Sequence, residues 1–153
     1  MKRLILFTAI SLSALEPIDY NYGMVGLNTV LLSTSSADLG VGHRKIGLHL
    51  AWDTVIGCDL NKHSQLIYFQ NSCLYYPNRT SGIYSGLGLT LGVSNFNYPL
   101  FSTGRSRKSE RSPYLNIPVT IGYQYEAKSA KNRFVQLQVT PLYTATLSYG
   151  FEF

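Results

Sequence analysis

The stretch that most limits the fold is residues 143–153. Its odd positions are Tyr143, Ala145, Leu147, Tyr149, Phe151 and Phe153; its even positions are Thr144, Thr146, Ser148, Gly150 and Glu152. Strand side chains point alternately to opposite faces, so this period of two describes one strand with an apolar face and a polar one. The pattern recurs upstream. In 83–96, Leu87, Leu89, Leu91 and Val93 alternate with Gly86, Gly88, Thr90, Gly92 and Ser94. In 114–126, Leu115, Ile117, Val119, Ile121, Tyr123 and Tyr125 alternate with Asn116, Pro118, Thr120, Gly122, Gln124 and Glu126. In 133–140, Val135, Leu137 and Val139 alternate with Gln136, Gln138 and Thr140.

The first half reads less evenly. A strand over 22–33 sets Val25, Leu27 and Leu31 against Gly26, Asn28 and Val30. The turn-forming residues of 34–38 predict a loop, followed by a short strand over 39–45 and a tight turn near Ile46-Gly47. A strand over 48–58 sets Leu48, Leu50, Trp52, Ile56 and Cys58 against His49, Ala51, Asp53, Val55 and Gly57. In 65–76 the two faces are equally apolar, and the pattern does not choose between them. Turns are expected at 77–82 and 127–132, and a long irregular connection at 97–112. The sum is about eight strands, without internal repeats or a linker, in 153 residues that suit one domain.

Composition agrees with β structure and narrows its setting. Charged residues are 14% of the chain against the usual quarter, while hydrophobic ones are 45%. No apolar run outside the N-terminus approaches the ~20 residues of a spanning helix. A membrane location therefore requires a closed barrel, which satisfies every backbone group internally. Residues 1–14 look like a secretory signal: Lys2 and Arg3, then the short apolar core from Leu4 to Leu12, then small residues. Residues 15–153 form the barrel domain.

The polar face indicates which side is out. From the fifth strand on it is Gly, Ser, Thr, Asn and Gln, with Glu126 and Glu152 at strand ends and no Lys. A water-facing strand surface would carry Lys and Glu, which also discourage edge pairing. Small polar residues suit the filled interior of a barrel of ~8 strands. The apolar face ends in Tyr123, Tyr125, Tyr149, Phe151 and Phe153, as the aromatic belts of membrane interfaces do. The expected fold is all-β: a closed antiparallel up-and-down transmembrane β-barrel.

These features together resemble the small outer-membrane β-barrels of Gram-negative bacteria, the eight-stranded group with adhesin-like and scaffold-like members. The resemblance rests on the signal-like start, the alternating strands and Leu147-Ser148-Tyr149-Gly150-Phe151-Glu152-Phe153. The chain also resembles barrel proteins of the chlamydia group through Leu39-Gly40-Val41-Gly42-His43-Arg44, Leu74-Tyr75-Tyr76-Pro77 and Leu147-Ser148-Tyr149-Gly150. It departs from the usual pattern in its short second strand and its nearly absent last loop. The resemblance implies a C-terminal assembly signal carried by Leu147, Tyr149, Gly150, Phe151 and Phe153. It implies as partners outer-membrane lipid, lipopolysaccharide and the barrel assembly machinery.

Motifs for catalysis are absent: there is no GxSxG, P-loop, HExxH or CxxC, and His43, His49 and His63 form no ligand spacing with Cys58 or Cys73. No cofactor is implied. Cys58 and Cys73 fall out of register across one hairpin, which predicts two free, buried thiols rather than a disulfide. His49 and Asp53 share one polar face, where a nearby serine would be needed for a lipid hydrolase or acyltransferase. The simpler reading is a lumen network in which Asp53, Asp59, Glu126 and Glu152 pair with Arg44 and His49, since buried charges need partners. In the 97–112 connection, Arg105, Arg107, Lys108 and Arg111 stand against Glu110. Without interleaved aromatics this run does not read as a nucleic-acid patch. It fits a solvated surface loop that meets lipopolysaccharide phosphates, another polyanion or a host surface. The functional expectation is a non-enzymatic outer-membrane barrel with a structural or surface-interaction role. The alternatives are a secreted or periplasmic lipocalin-like binding barrel, and an outer-membrane lipid hydrolase or acyltransferase.

Overall fold

The computed structural model describes residues 16–30, 34–60, 65–78, 81–94, 112–126, 131–141 and 144–153. They form nine antiparallel strand segments: β1 (Ile18–Val30), β2 (Thr34–Ile46), β3 (Leu50–Leu60), β4 (Gln65–Tyr75), β5 (Gly82–Ser94), β6 (Ser112–Asn116), β7 (Val119–Glu126), β8 (Asn132–Val139) and β9 (Thr144–Glu152). Segments pair with their neighbours in sequence, except that β6 and β7 both pair with β5, and β9 pairs back onto β1, so the sheet is closed. No edge is left among these ladders, which removes the edge-pairing hazard.

β6 and β7 are two halves of one span. Both pair with β5 in a single register, Thr90 opposite Asn116 and Leu87 opposite Val119. The interruption falls at Pro118, which has no N–H to donate. Its carbonyl still accepts from the Gly88 N–H at 2.9 Å. The barrel therefore has eight staves. Following hydrogen-bonded partners once around gives Ile18, Ile46, Ala51, Leu74, Gly86, Thr120, Gln138, Thr146 and then Asn28, back on β1 and ten residues further along. A stagger of this size over eight strands tilts them by about 40° and leaves an interior just wide enough for side chains.

β2 is longer than the sequence suggests. Residues 34–38 continue the strand instead of forming a loop, pairing Thr34 through Asp38 with Val30 through Gly26. Ser36 and Asp38 point inward, so residues that read as turn formers serve as lumen lining. The expected short second strand is thus a full-length one of 13 residues. β4 resolves the undecided face: Leu66, Tyr68, Gln70, Ser72 and Leu74 are inside, while Ile67, Phe69, Cys73 and Tyr75 are outside. The cysteines are free, but they are not buried: Cys58 is half-buried on the outer face and Cys73 is exposed there. The long connection and the signal-like segment lie outside the described residues.

Inside and outside are inverted relative to a soluble domain. Outward positions carry Leu, Ile, Val and aromatics, with Ile67 at 67% and Leu147 at 55% exposure. On β5 the apolar face runs from Ile83 to Val93, roughly 25 Å along the barrel axis once strand tilt is included. Among the described residues the lumen holds Asp, Gln, Asn, Ser, Thr and one Arg, together with seven aromatic rings (Tyr20, Tyr22, Tyr68, Tyr76, Tyr84, Tyr114 and Phe134) and the aliphatic Met24, Ile46, Val55, Leu66 and Leu74.

These inner rings lie over glycines. Tyr22, Tyr68, Tyr84 and Phe134 are the direct cross-strand partners of Gly42, Gly57, Gly122 and Gly150. A Cβ at Gly122 would stand 2.3 Å from Tyr84 Cζ, and one at Gly150 would stand 2.0 Å from Phe134 Cζ. The ring fills the space that the missing side chain leaves, which is how large groups fit a narrow lumen. Replacing Gly122 with Ala should lower the unfolding free energy by about 1–3 kcal/mol. Adding Tyr84→Leu should return part of that loss. Denaturant unfolding of the folded protein measures both, and independent additivity of the two changes would contradict the ring-over-glycine packing.

Candidate functional site

Two polar layers divide the lumen. The first lies toward the end that carries the β2–β3, β4–β5 and β7–β8 connections, and Arg44 is at its centre. Arg44 projects inward from β2 because it has the parity of Gly42 and Ile46, and it is 0% exposed. Its Nε donates to Asp53 Oδ1 at 3.1 Å and its Nη2 to Asp53 Oδ2 at 3.0 Å. This two-point contact is the strong geometry for guanidinium and carboxylate. Arg44 Nη1 donates to Tyr76 Oη at 3.0 Å, and Nη2 reaches Gln136 Oε1 at 3.4 Å.

The second coordination is equally closed. The Tyr22 hydroxyl donates to Asp53 Oδ1 at 2.8 Å. Tyr20 and Tyr76 hydroxyls both donate to Gln124 Oε1, at 2.8 and 2.9 Å, and Tyr84 donates to Gln136 Oε1 at 3.0 Å. Aromatic faces cover the cation: its Cζ lies 4.1 Å from the Phe134 ring centroid, 5.0 Å from that of Tyr84 and 5.3 Å from that of Tyr22. A desolvated cation gains from such faces. Chemically this layer is a neutralised plug: its donors and acceptors are spent on one another, and nothing in it presents a free nucleophile.

The second layer lies toward the end where β5 ends and β6 begins. Here Asp38 and Asp59 face each other across β2 and β3. The Tyr68 hydroxyl donates to Asp38 Oδ1 at 2.7 Å, and Asn28 Nδ2 donates to Asp59 Oδ2 at 2.6 Å. They line a cavity shared with Gln70, Thr90, Gln138 and Thr146.

The expected network residues separate in space. Arg44 and Asp53 form the ion pair, whereas Asp59 lies in the other layer with Asn28 and does not meet Arg44 or His49. His49 is exposed in the β2–β3 turn, its Nδ1 3.0 Å from the Tyr76 carbonyl, and so stands off the lumen face. Glu126 is exposed at the end of β7. Glu152 is half-buried and accepts from the Asn132 N–H and Nδ2 at 2.7 and 2.8 Å, holding the end of β8 rather than Arg44. Leu147, Tyr149, Phe151 and Phe153 all belong to the outer face, while Gly150 lies inside beneath Phe134. Arg105, Arg107, Lys108 and Arg111 lie outside the described residues. The sequence reading missed the tyrosines, Phe134, Asp38 and Asn28. The signal that finds the rings is an aromatic at an inward position with glycine directly opposite on the next strand.

Among the described residues no three His, Cys, Asp or Glu side chains come together as a metal site, and no helix is long and apolar enough to cross a membrane, which says nothing of a β-barrel. The fold is that of a closed, up-and-down, eight-stave antiparallel barrel with a filled lumen. It is similar to the solution NMR structure of the de novo designed TMB2.3, with a TM-score of 0.51, 12% identity, and coverage of 90% of this chain and 94% of that one. No protein-family model and no curated protein matches the chain.

The ion pair gives a direct test. Arg44→Leu should destabilise the folded barrel by about 3–5 kcal/mol, because it leaves Asp53 buried without its counter-charge. The double variant Arg44→Leu with Asp53→Leu should recover most of that loss. Denaturant midpoints of the parent, the two single variants and the double variant form the cycle. A double variant as unstable as the sum of the singles would deny the pairing.

Proposed function

We propose that this chain is an integral outer-membrane β-barrel with a structural or surface-interaction role and no enzymatic activity. The observation that carries the proposal is the inversion of the two faces. An outer surface dominated by Leu, Ile, Val and aromatics, interrupted by the Thr54–Asn71 hydrogen-bonded pair and Ser85, surrounds a lumen that holds the buried Arg44–Asp53 pair. An apolar surface of this extent is costly in water and favourable in lipid. Its height of roughly 25 Å suits the apolar band of such barrels. Its lower border also suits an interface: outward Tyr75, Tyr123, Tyr149 and Phe151 gather near the end with the β4–β5 and β7–β8 turns. Beside them Arg133 Nη1 donates to Tyr149 Oη at 3.2 Å, and His43 Nε2 lies 3.0 Å from Asp19 Oδ1. The fold's likeness to a designed transmembrane barrel is a further support.

A lipocalin-like reading would need an apolar interior that opens to a ligand, and here the interior beside Arg44 is occupied by its own side chains. A hydrolase reading would need a serine next to His49, whose ring is turned to the Tyr76 carbonyl at the barrel's end. With a filled lumen, contact with other molecules falls to the connections between strands. The longest of these joins β5 to β6 and carries Arg105, Arg107, Lys108 and Arg111, which suit phosphate groups of lipopolysaccharide or another polyanion. Long connections of outer-membrane barrels face outward and short turns face the periplasm. The barrel assembly machinery and a cleaved leader over 1–14 complete the proposal.

Trypsin applied to intact cells tests it. Cleavage should fall among Arg105 to Arg111 and leave the strands whole. Cleavage only after the outer membrane is opened would reverse the orientation and remove the surface role.

A further inference from the structure

Among the described residues, the layer near Asp38 and Asp59 lacks the charge balance of the Arg44 layer. The two aspartates are direct cross-strand partners on the lumen face, so their Cβ atoms stand about 4.5–5.5 Å apart, a spacing at which like charges repel. Asp38 is 3% exposed and Asp59 8%. Both described ion pairs lie elsewhere, at Arg44–Asp53 and His43–Asp19. Among the described residues, the donors to the two carboxylates are neutral: the Tyr68 hydroxyl and the Asn28 amide.

A second observation points to an occupant. Asp59 Oδ1 and Asn28 Oδ1 are both buried and have no hydrogen-bond partner among the described residues. They belong to side chains that are already joined through Asn28 Nδ2 and Asp59 Oδ2 at 2.6 Å. Two buried acceptors side by side without a donor are costly. Asn28, Asp38 and Asp59 line one cavity of about 40 Å³. That exceeds the roughly 10–15 Å³ that one water needs. The remaining polar lining is Tyr, Thr and Gln, so the donor atoms offered are oxygens, with no sulfur or imidazole.

We propose that this cavity binds a hard divalent cation of the size of Ca²⁺. Asp59 Oδ1, Asn28 Oδ1 and the Asp38 carboxylate supply protein ligands, and water completes the shell. All-oxygen donor sets with flexible geometry and incomplete protein ligation suit Ca²⁺, whereas Mg²⁺ demands a stricter octahedron. Two carboxylates against one divalent ion make the layer neutral, as Asp53 does for Arg44. With two charged ligands the dissociation constant should be weak, on the order of 10⁻⁴–10⁻³ M. The inference concerns the lumen and does not depend on what surrounds the barrel.

The test uses the full folded chain, stripped with chelator and titrated with CaCl₂ at constant ionic strength. The unfolding midpoint should rise and then level off, since an ion that binds only the folded state stabilises it by mass action. Tb³⁺, a Ca²⁺ substitute, should show emission sensitised through the tyrosines beside the cavity, and excess Ca²⁺ should displace it. Asp59→Asn and Asp38→Asn keep side-chain size and should each weaken the ion at least tenfold. Without ion, Asp59→Asn should be more stable than the parent, because the repulsion is gone. A parent that shows neither a midpoint shift nor sensitised emission overturns the proposal. So does an Asp59→Asn protein that retains both. A cationic side chain of the chain itself seated in the cavity would give the first of these results.

Discussion

Arg44 carries a permanent charge into a space that water does not reach, and its needs set the arrangement around it. Removing a guanidinium from water is costly unless nearly every donor finds an acceptor and a counter-charge lies close. Asp53 on β3 meets the charge at two points. Tyr76, just past β4, and Gln136 on β8 take further donors. Tyr22 on β1, Tyr84 on β5 and Phe134 on β8 supply ring faces. These groups come from widely separated parts of the chain and surround Arg44 only when β9 has closed onto β1. Closing the sheet and satisfying this one cation are therefore coupled. The cross-strand glycines belong to the same solution, because Gly42, Gly122 and Gly150 leave the depth that Tyr22, Tyr84 and Phe134 occupy.

The two lumen layers differ in what they leave unsatisfied. Around Arg44, charge and hydrogen bonds close on themselves, which suits a rigid base. Around Asp38 and Asp59, negative charge accumulates and acceptors remain open. The outer surface shows a corresponding order. Its middle is mostly aliphatic, with Phe69 and the Thr54–Asn71 pair as exceptions, while Tyr75, Tyr123, Tyr149 and Phe151 with Arg133 and the His43–Asp19 pair gather at the end nearer Arg44. The closed base lies beside that aromatic border, and the unsatisfied layer lies toward the long connection between β5 and β6.

How much was legible in the sequence depends on how strictly a strand alternates. β5, β7, β8 and β9 alternate over most of their length, with the inward Tyr84 and Phe134 as exceptions, and their faces were readable from Leu89, Ile121, Leu137 and Leu147. The β2 strand was not, because residues 34–38 have the composition of a turn; only pairing with β1 reveals a strand there, with Ser36 and Asp38 as lumen lining. β4 was ambiguous since Tyr68 and Leu74 point inward and Phe69 and Tyr75 outward. Large residues on both faces cancel the contrast on which the reading relies. The Arg44–Asp53 pair was accessible because both residues sit at inward parity on adjacent strands. His49 carries inward parity too, but β3 begins one residue later, and in the turn that parity no longer applies. The tyrosine-over-glycine pairs were invisible because register between strands is a property of the closed sheet.

The most direct measurement of whether the apolar face meets lipid is site-directed spin labelling in bilayers. With Cys58 and Cys73 replaced by Ser, a single cysteine is placed in turn at Leu89, Val119 and Leu137, all of which face outward. After reconstitution, nitroxides there should collide readily with oxygen dissolved in the lipid and rarely with a water-soluble nickel chelate. Labels that favour the nickel chelate over oxygen at these three positions would mean that the apolar face does not contact lipid, and the inverted barrel would lose its membrane.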